Sequence, residues 1–125
     1  MFNLQLSDLQ KLPRRSVDGK RLYENPDGLH YPSVTTITSQ MSKKGIAEWR
    51  ARVGNAEANR ISTQASNRGT SVHKLCEDYC LNLDMDSKAQ PANVEMFKSI
   101  KSELDAHVDN IHSVEGFLYS NFLRV

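Results

Sequence analysis

Features that assign a sequence to a special class are mostly missing here. Two cysteines in 125 residues exclude a disulfide-stapled scaffold, and six glycines with four prolines exclude a collagen-like or low-complexity chain. No apolar run approaches the ~20 residues that cross a bilayer. The opening MFNLQLSDLQ has neither the charged n-region nor the long apolar h-region of a signal peptide. The sequence therefore reads as soluble and unexported. No Gly-rich phosphate loop, Gly-x-Ser-x-Gly elbow or His-Glu-x-x-His motif occurs, so the chemistries those motifs carry are not indicated. What remains, 38% hydrophobic and 25% charged residues over 125 positions, is the composition and length of a single globular domain, residues 1–125.

Cys76 and Cys80 fall four apart in a helical pattern, which sets their Cβ atoms ~5–6 Å apart, beyond a relaxed disulfide. They read as buried thiols in a reducing compartment; no CxxC pair or Cys/His cluster suggests a metal. The net charge of +1 hides an asymmetry. Residues 1–75 carry 12 basic and 6 acidic side chains (+6), and residues 76–125 carry 4 basic and 9 acidic ones (−5). The basic part is either a solvated surface or, through Lys43, Lys44, Arg50, Arg52, Arg60 and Arg68, a path for a polyanion, since phosphate contacts need only clustered positive charge.

Residues 1–20 alternate too weakly to define an element, and Pro13 ends whatever they form. Arg21–Glu24, the turn Asn25-Pro26-Asp27-Gly28 and Leu29–Tyr31 predict a β-hairpin. Pro32 imposes an extended approach, after which the hydroxyls of Ser33 and Thr35 can cap a helix or bond a phosphate. From about Lys43 the period becomes 3.6: a first helix up to Gly54-Asn55, a second over Glu57–Asn67 broken by Arg68-Gly69, and a third from Thr70. In the third, Val72, Leu75, Cys76, Tyr79, Cys80 and Leu83 form a stripe that must face a core. A polar connection (Asp84–Pro91) leads to a long helix over about 92–111, striped by Val94, Phe97, Ile100, Leu104, Val108 and Ile111. Residues 114–119 and 122–125 read as two strands. A chain stopping inside an apolar strand reads like a cut through a sheet, with an open edge that invites self-association.

His73 borders the stripe near the start of the third helix, with Glu77 one turn on along the same edge. An imidazole there is a metal ligand with Glu77 orienting it or holding a water, or it is a structural histidine. Glu115 is a second carboxylate of that site or a solvated edge-strand glutamate. Trp49 with Arg50 either grips a nucleotide or is core.

The ordered segments Arg21-Leu-Tyr, Pro26-Asp-Gly-Leu-His-Tyr-Pro-Ser-Val-Thr-Thr-Ile, Trp49-Arg…Val53-Gly, Arg68-Gly-Thr-Ser-Val-His73-Lys-Leu-Cys-Glu77 and Val114-Glu-Gly-Phe-Leu-Tyr-Ser resemble the amino-terminal half of phage-encoded exonucleases of the RecB-like PD-(D/E)xK superfamily, which includes the mitochondrial genome maintenance exonuclease. The resemblance runs from about Arg21 to Val125. It implies a mostly helical α+β chain from a restriction-endonuclease-like fold: hairpin, helices, then the first strands of a central mixed sheet. It also implies a nuclease in which His73 joins an Asp, an Asp/Glu and a Lys to bind Mg²⁺ or Mn²⁺ and hydrolyse phosphodiesters at DNA strand ends, single-stranded by preference. Ser33, Thr35 and the basic helices with Arg50, Arg52, Arg60 and Arg68 would lie along the strand. The family's Gly-x-x-Asp and Asp/Glu-x-Lys segments have no counterpart in residues 1–125, so this stretch alone is expected to be inactive and to hold a metal weakly or not at all. Cys76 and Cys80 do not match the cysteines that bind an iron–sulfur cluster in some relatives. The alternative is a complete, non-catalytic nucleic-acid- or protein-binding module.

Overall fold

The computed structural model describes residues 1–125. In chain order it contains β1 (Arg14–Val17), β2 (Lys20–Glu24), β3 (His30–Tyr31), α1 (Val34–Val53), α2 (Asn55–Cys80) and α3 (Pro91–His107). This is an α+β chain, about 50% helical, with one three-stranded antiparallel sheet ordered β1-β2-β3. It divides into two units that interleave along the sequence: Leu9–Asn55 with Gly116–Val125, and Met1–Asp8 with Ala56–Glu115.

The first of these units carries the sheet. The expected hairpin is present: β2 and β3 pair with Tyr23 opposite Tyr31 and Glu24 opposite His30. Its turn is organised by Asn25, only 4% exposed, whose Oδ1 accepts the backbone N–H groups of Asp27 (3.0 Å) and Leu29 (2.9 Å). An Asn side chain closing its own turn in this way is a local alternative to a backbone bond. β1 lies in the stretch that hydrophobic pattern leaves undefined. It pairs with β2 across Asp18-Gly19, both left-handed at φ 51° and 72°. Asp-Gly is the favoured pair for that turn, so the dipeptide is the signal that marks β1.

α1 begins at Val34 rather than near Lys43. Ser33, extended after Pro32, accepts the Thr36 N–H on Oγ at 3.2 Å and caps the helix. Thr35 therefore sits in the first turn of a helix and not in an extended segment. Gly54, at φ 88°, ends α1 as expected and donates its N–H to the Arg50 carbonyl at 2.9 Å. The two strands expected at the carboxyl end do not form: residues 114–115 bend and 121–124 turn. There Ser120 N–H bonds the Val125 carbonyl and Arg124 N–H the Ser120 carbonyl, both at 2.7 Å. A two-stranded ribbon alone is marginal in water, and local turn bonds replace it. Self-association through terminal strand edges loses its basis, because no strand edge exists there.

In the other unit α2 is one helix where two were expected, running unbroken through Arg68-Gly69. A helical Gly costs about 1 kcal/mol relative to Ala, too little to break a helix whose later turns are anchored in a core. A Cβ on Gly69 would meet no atom within 4 Å. Gly69→Ala should therefore raise stability by about 0.5–1 kcal/mol, read as a higher urea midpoint; a lower midpoint would contradict a continuous α2.

The stripe of α2 builds this unit's core. Val72 and Leu75 are buried with Ala58, Phe97 of α3 and Ile111. Tyr79 stands edge-on to Phe2 and Phe97, with ring centroids 5.3 and 5.4 Å away. Cys76 and Cys80 are free and half-buried, and desolvation pushes both thiols up. Leu83 falls past the helix end and is exposed. α3 stops at His107, so Ile111 enters the core from outside the helix, in a parallel bridge with Leu4. Ile111 N–H bonds the Asn3 carbonyl and Gln5 N–H bonds the Ile111 carbonyl, each at 2.9 Å, tying down the amino terminus.

Hydrogen bonds from Lys101 and Tyr79 hold the Asp105 carboxyl below its ordinary value of 3.8, and backbone N–H groups of Asn3 and Asn110 do the same for Asp109. Because the unfolded chain takes up these protons first, the stability both groups contribute is present above about pH 3.8 and is lost as the pH falls through their lower folded values. The urea midpoint of this unit should drop on acidification through that window, and Asp105→Asn with Asp109→Asn should flatten the drop.

Candidate functional site

His73 lies in the interior of α2, about five turns from its amino end, so the helix dipole, which acts within the first turn, does not reach it. At 100° per residue it is turned roughly 160° from the buried Leu75, and its side chain is 59% exposed. It stands at the margin of the core stripe, about 20° around the helix from half-buried Cys80 and about 60° from half-buried Cys76, with its side chain turned to solvent. There Nε2–H donates to Glu115 Oε1 at 2.9 Å, a contact between residues 42 apart in sequence. Glu115 is solvated, as the plainer reading has it, but it occupies no strand and has a histidine partner.

Glu115 also has a left-handed backbone, φ 54°. Asp18, Asn82 and Asn110 share that conformation, which Asp and Asn tolerate, whereas Glu115 and Arg124 are the other two non-glycine residues in it. For such residues the conformation costs about 1–2 kcal/mol, so the surrounding chain holds Glu115 in place against a local preference.

Glu77 is not brought to His73; its nearest charged partner is the Lys74 ammonium at 3.9 Å, while Lys74 bonds the buried Asp78 at 2.7 Å. No group of three or more His, Cys, Asp and Glu side chains gathers anywhere in the chain. The donors the chain brings together here are two, one imidazole nitrogen and one carboxylate, bonded to each other. That pair suits Mn²⁺ and, through the carboxylate, Mg²⁺. The Glu115 side chain is 63% exposed.

The residues assigned to nucleic acid divide between the two units. Ser33, Thr35, Arg50 and Arg52 lie in one, Arg60 and Arg68 in the other. The Ser33 hydroxyl is committed to the helix cap and lies 3.0 Å from Thr35 Oγ1. Arg50 and Arg52 occupy the last turn of α1, where a cation offsets the negative helix end. Arg60 is held by Glu57 through two bonds of 2.9 and 2.7 Å, which raises its already high pKa. Arg68 lines a groove with Gln64, Asn67, Ser71, Lys88 and the acidic Asp86. No helix is long and apolar enough to cross a membrane. No family model, curated protein or solved structure matches the chain.

Proposed function

We propose that the chain is part of a metal-dependent DNA exonuclease of the RecB-like PD-(D/E)xK type, acting on phage DNA ends in the host cytoplasm, with His73 and Glu115 facing its metal ion. The observation that supports this is the 2.9 Å His73–Glu115 contact: two residues inside the segments carrying the resemblance meet on an exposed face where neither serves the core. Mg²⁺ or Mn²⁺, when bound, would supply an activated water and neutralise charge on the phosphodiester. His73 offers a ring nitrogen, Glu115 an oxygen, and Arg68, which has no ion pair, offers a guanidinium to a strand phosphate. The Asp and Asp/Glu-x-Lys groups would come from sequence following Val125. Reading the frame beyond codon 125 and assaying the whole product on end-labelled single-stranded DNA, with Mn²⁺ and with EDTA, tests this. Both motifs and Mn²⁺-dependent shortening are the expected result. A stop at that codon, or a product that binds DNA without shortening it, favours the non-catalytic module instead.

A further inference from the structure

A second site lies in the sheet-bearing unit, where Leu29, His30, Tyr31, Pro32, Asn121 and Arg124 line a cavity of about 670 Å³, well within the size range of small-ligand pockets. Its polarity is set by a chain of hydrogen bonds. The Asn25 oxygen is taken by two backbone N–H groups, so its amide nitrogen must point outward, and it donates to Asn121 Oδ1 at 3.0 Å. Tyr31 Oη donates to the same oxygen, also at 3.0 Å. Asn121 is thereby fixed with its oxygen saturated and its Nδ2 without a partner. Arg124 adds a guanidinium that has no ion pair, on a backbone held left-handed at φ 57°. Glu24, 3.7 Å from His30 Nε2, is already matched by Arg15 at 2.8 Å. The lining thus offers a cation and an oriented amide donor beside the ring of Tyr31 and the apolar face of Pro32.

We infer that this cavity binds a nucleoside monophosphate unit, free or at the end of a strand, with the phosphate on Arg124 and Asn121 Nδ2 and the base against Tyr31 and Pro32. Charge-assisted donors suit the phosphate, and an aromatic face accepts any base. The inference rests on the proposed function only in taking a nucleic-acid unit as ligand; it involves neither His73 nor a metal. Calorimetric titration in EDTA with thymidine 5′-monophosphate, thymidine and inorganic phosphate tests it. The nucleotide should bind at least tenfold more tightly than either half. Asn121→Asp keeps the oxygen that Asn25 and Tyr31 bond but replaces the donor with negative charge, and Arg124→Gln removes the cation without breaking a hydrogen bond. Each should weaken nucleotide binding about tenfold or more at unchanged melting temperature, and if the Asp variant fails to fold, the Gln variant decides alone. Thymidine or inorganic phosphate binding as tightly as the nucleotide, or an Arg124→Gln protein that binds like the parent, would overturn the inference. Because metal is absent, failure here leaves the nuclease reading intact, and loss of nuclease activity with nucleotide binding retained leaves this site standing.

Discussion

If the reading frame carries the nuclease motifs proposed above, His73→Ala in the whole polypeptide should lower DNA shortening about 100-fold or more with the melting temperature nearly unchanged. Residues that merely orient a metal ligand cost about 10–100-fold when lost, and a direct ligand should cost at least as much. The side chain is 59% exposed, so the fold has little to lose; surface substitutions of this kind stay within about 0.5 kcal/mol. Glu115→Gln separates metal binding from structure. The Gln carbonyl still accepts the imidazole N–H, so a structural contact survives, whereas a metal loses its anionic ligand and activity falls with it. Glu115→Gly carries the argument further: glycine adopts φ 54° freely, so this variant should gain about 1 kcal/mol of stability while losing activity. Stability bought at the expense of activity is the mark of a residue held in place for function. An active Glu115→Gly protein would remove Glu115 from the site.

Phe97→Ala should be the most damaging single change to the fold, costing about 3–5 kcal/mol. Phe97 is 2% exposed and stands edge-on to Tyr79, in a core whose other buried apolar members are only Ala58, Val72, Leu75 and Ile111. So small a core has little volume with which to refill the cavity left behind. Against a total stability of about 5–15 kcal/mol, that loss leaves the unit marginal, and its near-UV dichroism from Tyr79 should collapse well before the parent's on urea titration. A shift of less than about 1 kcal/mol would mean that Phe97 does not anchor α3 against α2.

The elements legible in the sequence were those with a local cause. The hairpin around Asn25 follows from a turn tetrad closed by its own Asn side chain, and the stripe Val72, Leu75, Tyr79 from a 3.6 period with one buried face. Ser33 was legible as a potential cap, but the polar run after it hid the start of α1, because none of that helix's residues is buried and no stripe announces it. Gly69 suggested a break that the helix bridges at small cost, and Val114–Val125 suggested strands that lacked a sheet to join. His73 and Glu115 were each visible, but their meeting was not: no periodicity links residues 42 apart, and the link depends on Glu115 adopting a backbone that its residue type disfavours. The donor-rich cavity was out of reach for a similar reason, since it depends on Asn25 fixing the amide of Asn121 across 96 residues.

Paramagnetic broadening by Mn²⁺, followed on the assigned amide and imidazole resonances of this chain, tests whether His73 and Glu115 hold a metal ion together. It detects weak binding, which is what a two-ligand site should show. Substoichiometric Mn²⁺ should broaden His73 and Glu115 first and together, and the effect should disappear in His73→Ala while the rest of the spectrum is unchanged. Broadening that begins at Asp84 and Asp86 or at the other exposed carboxylates, with His73 and Glu115 still sharp, would contradict the claim.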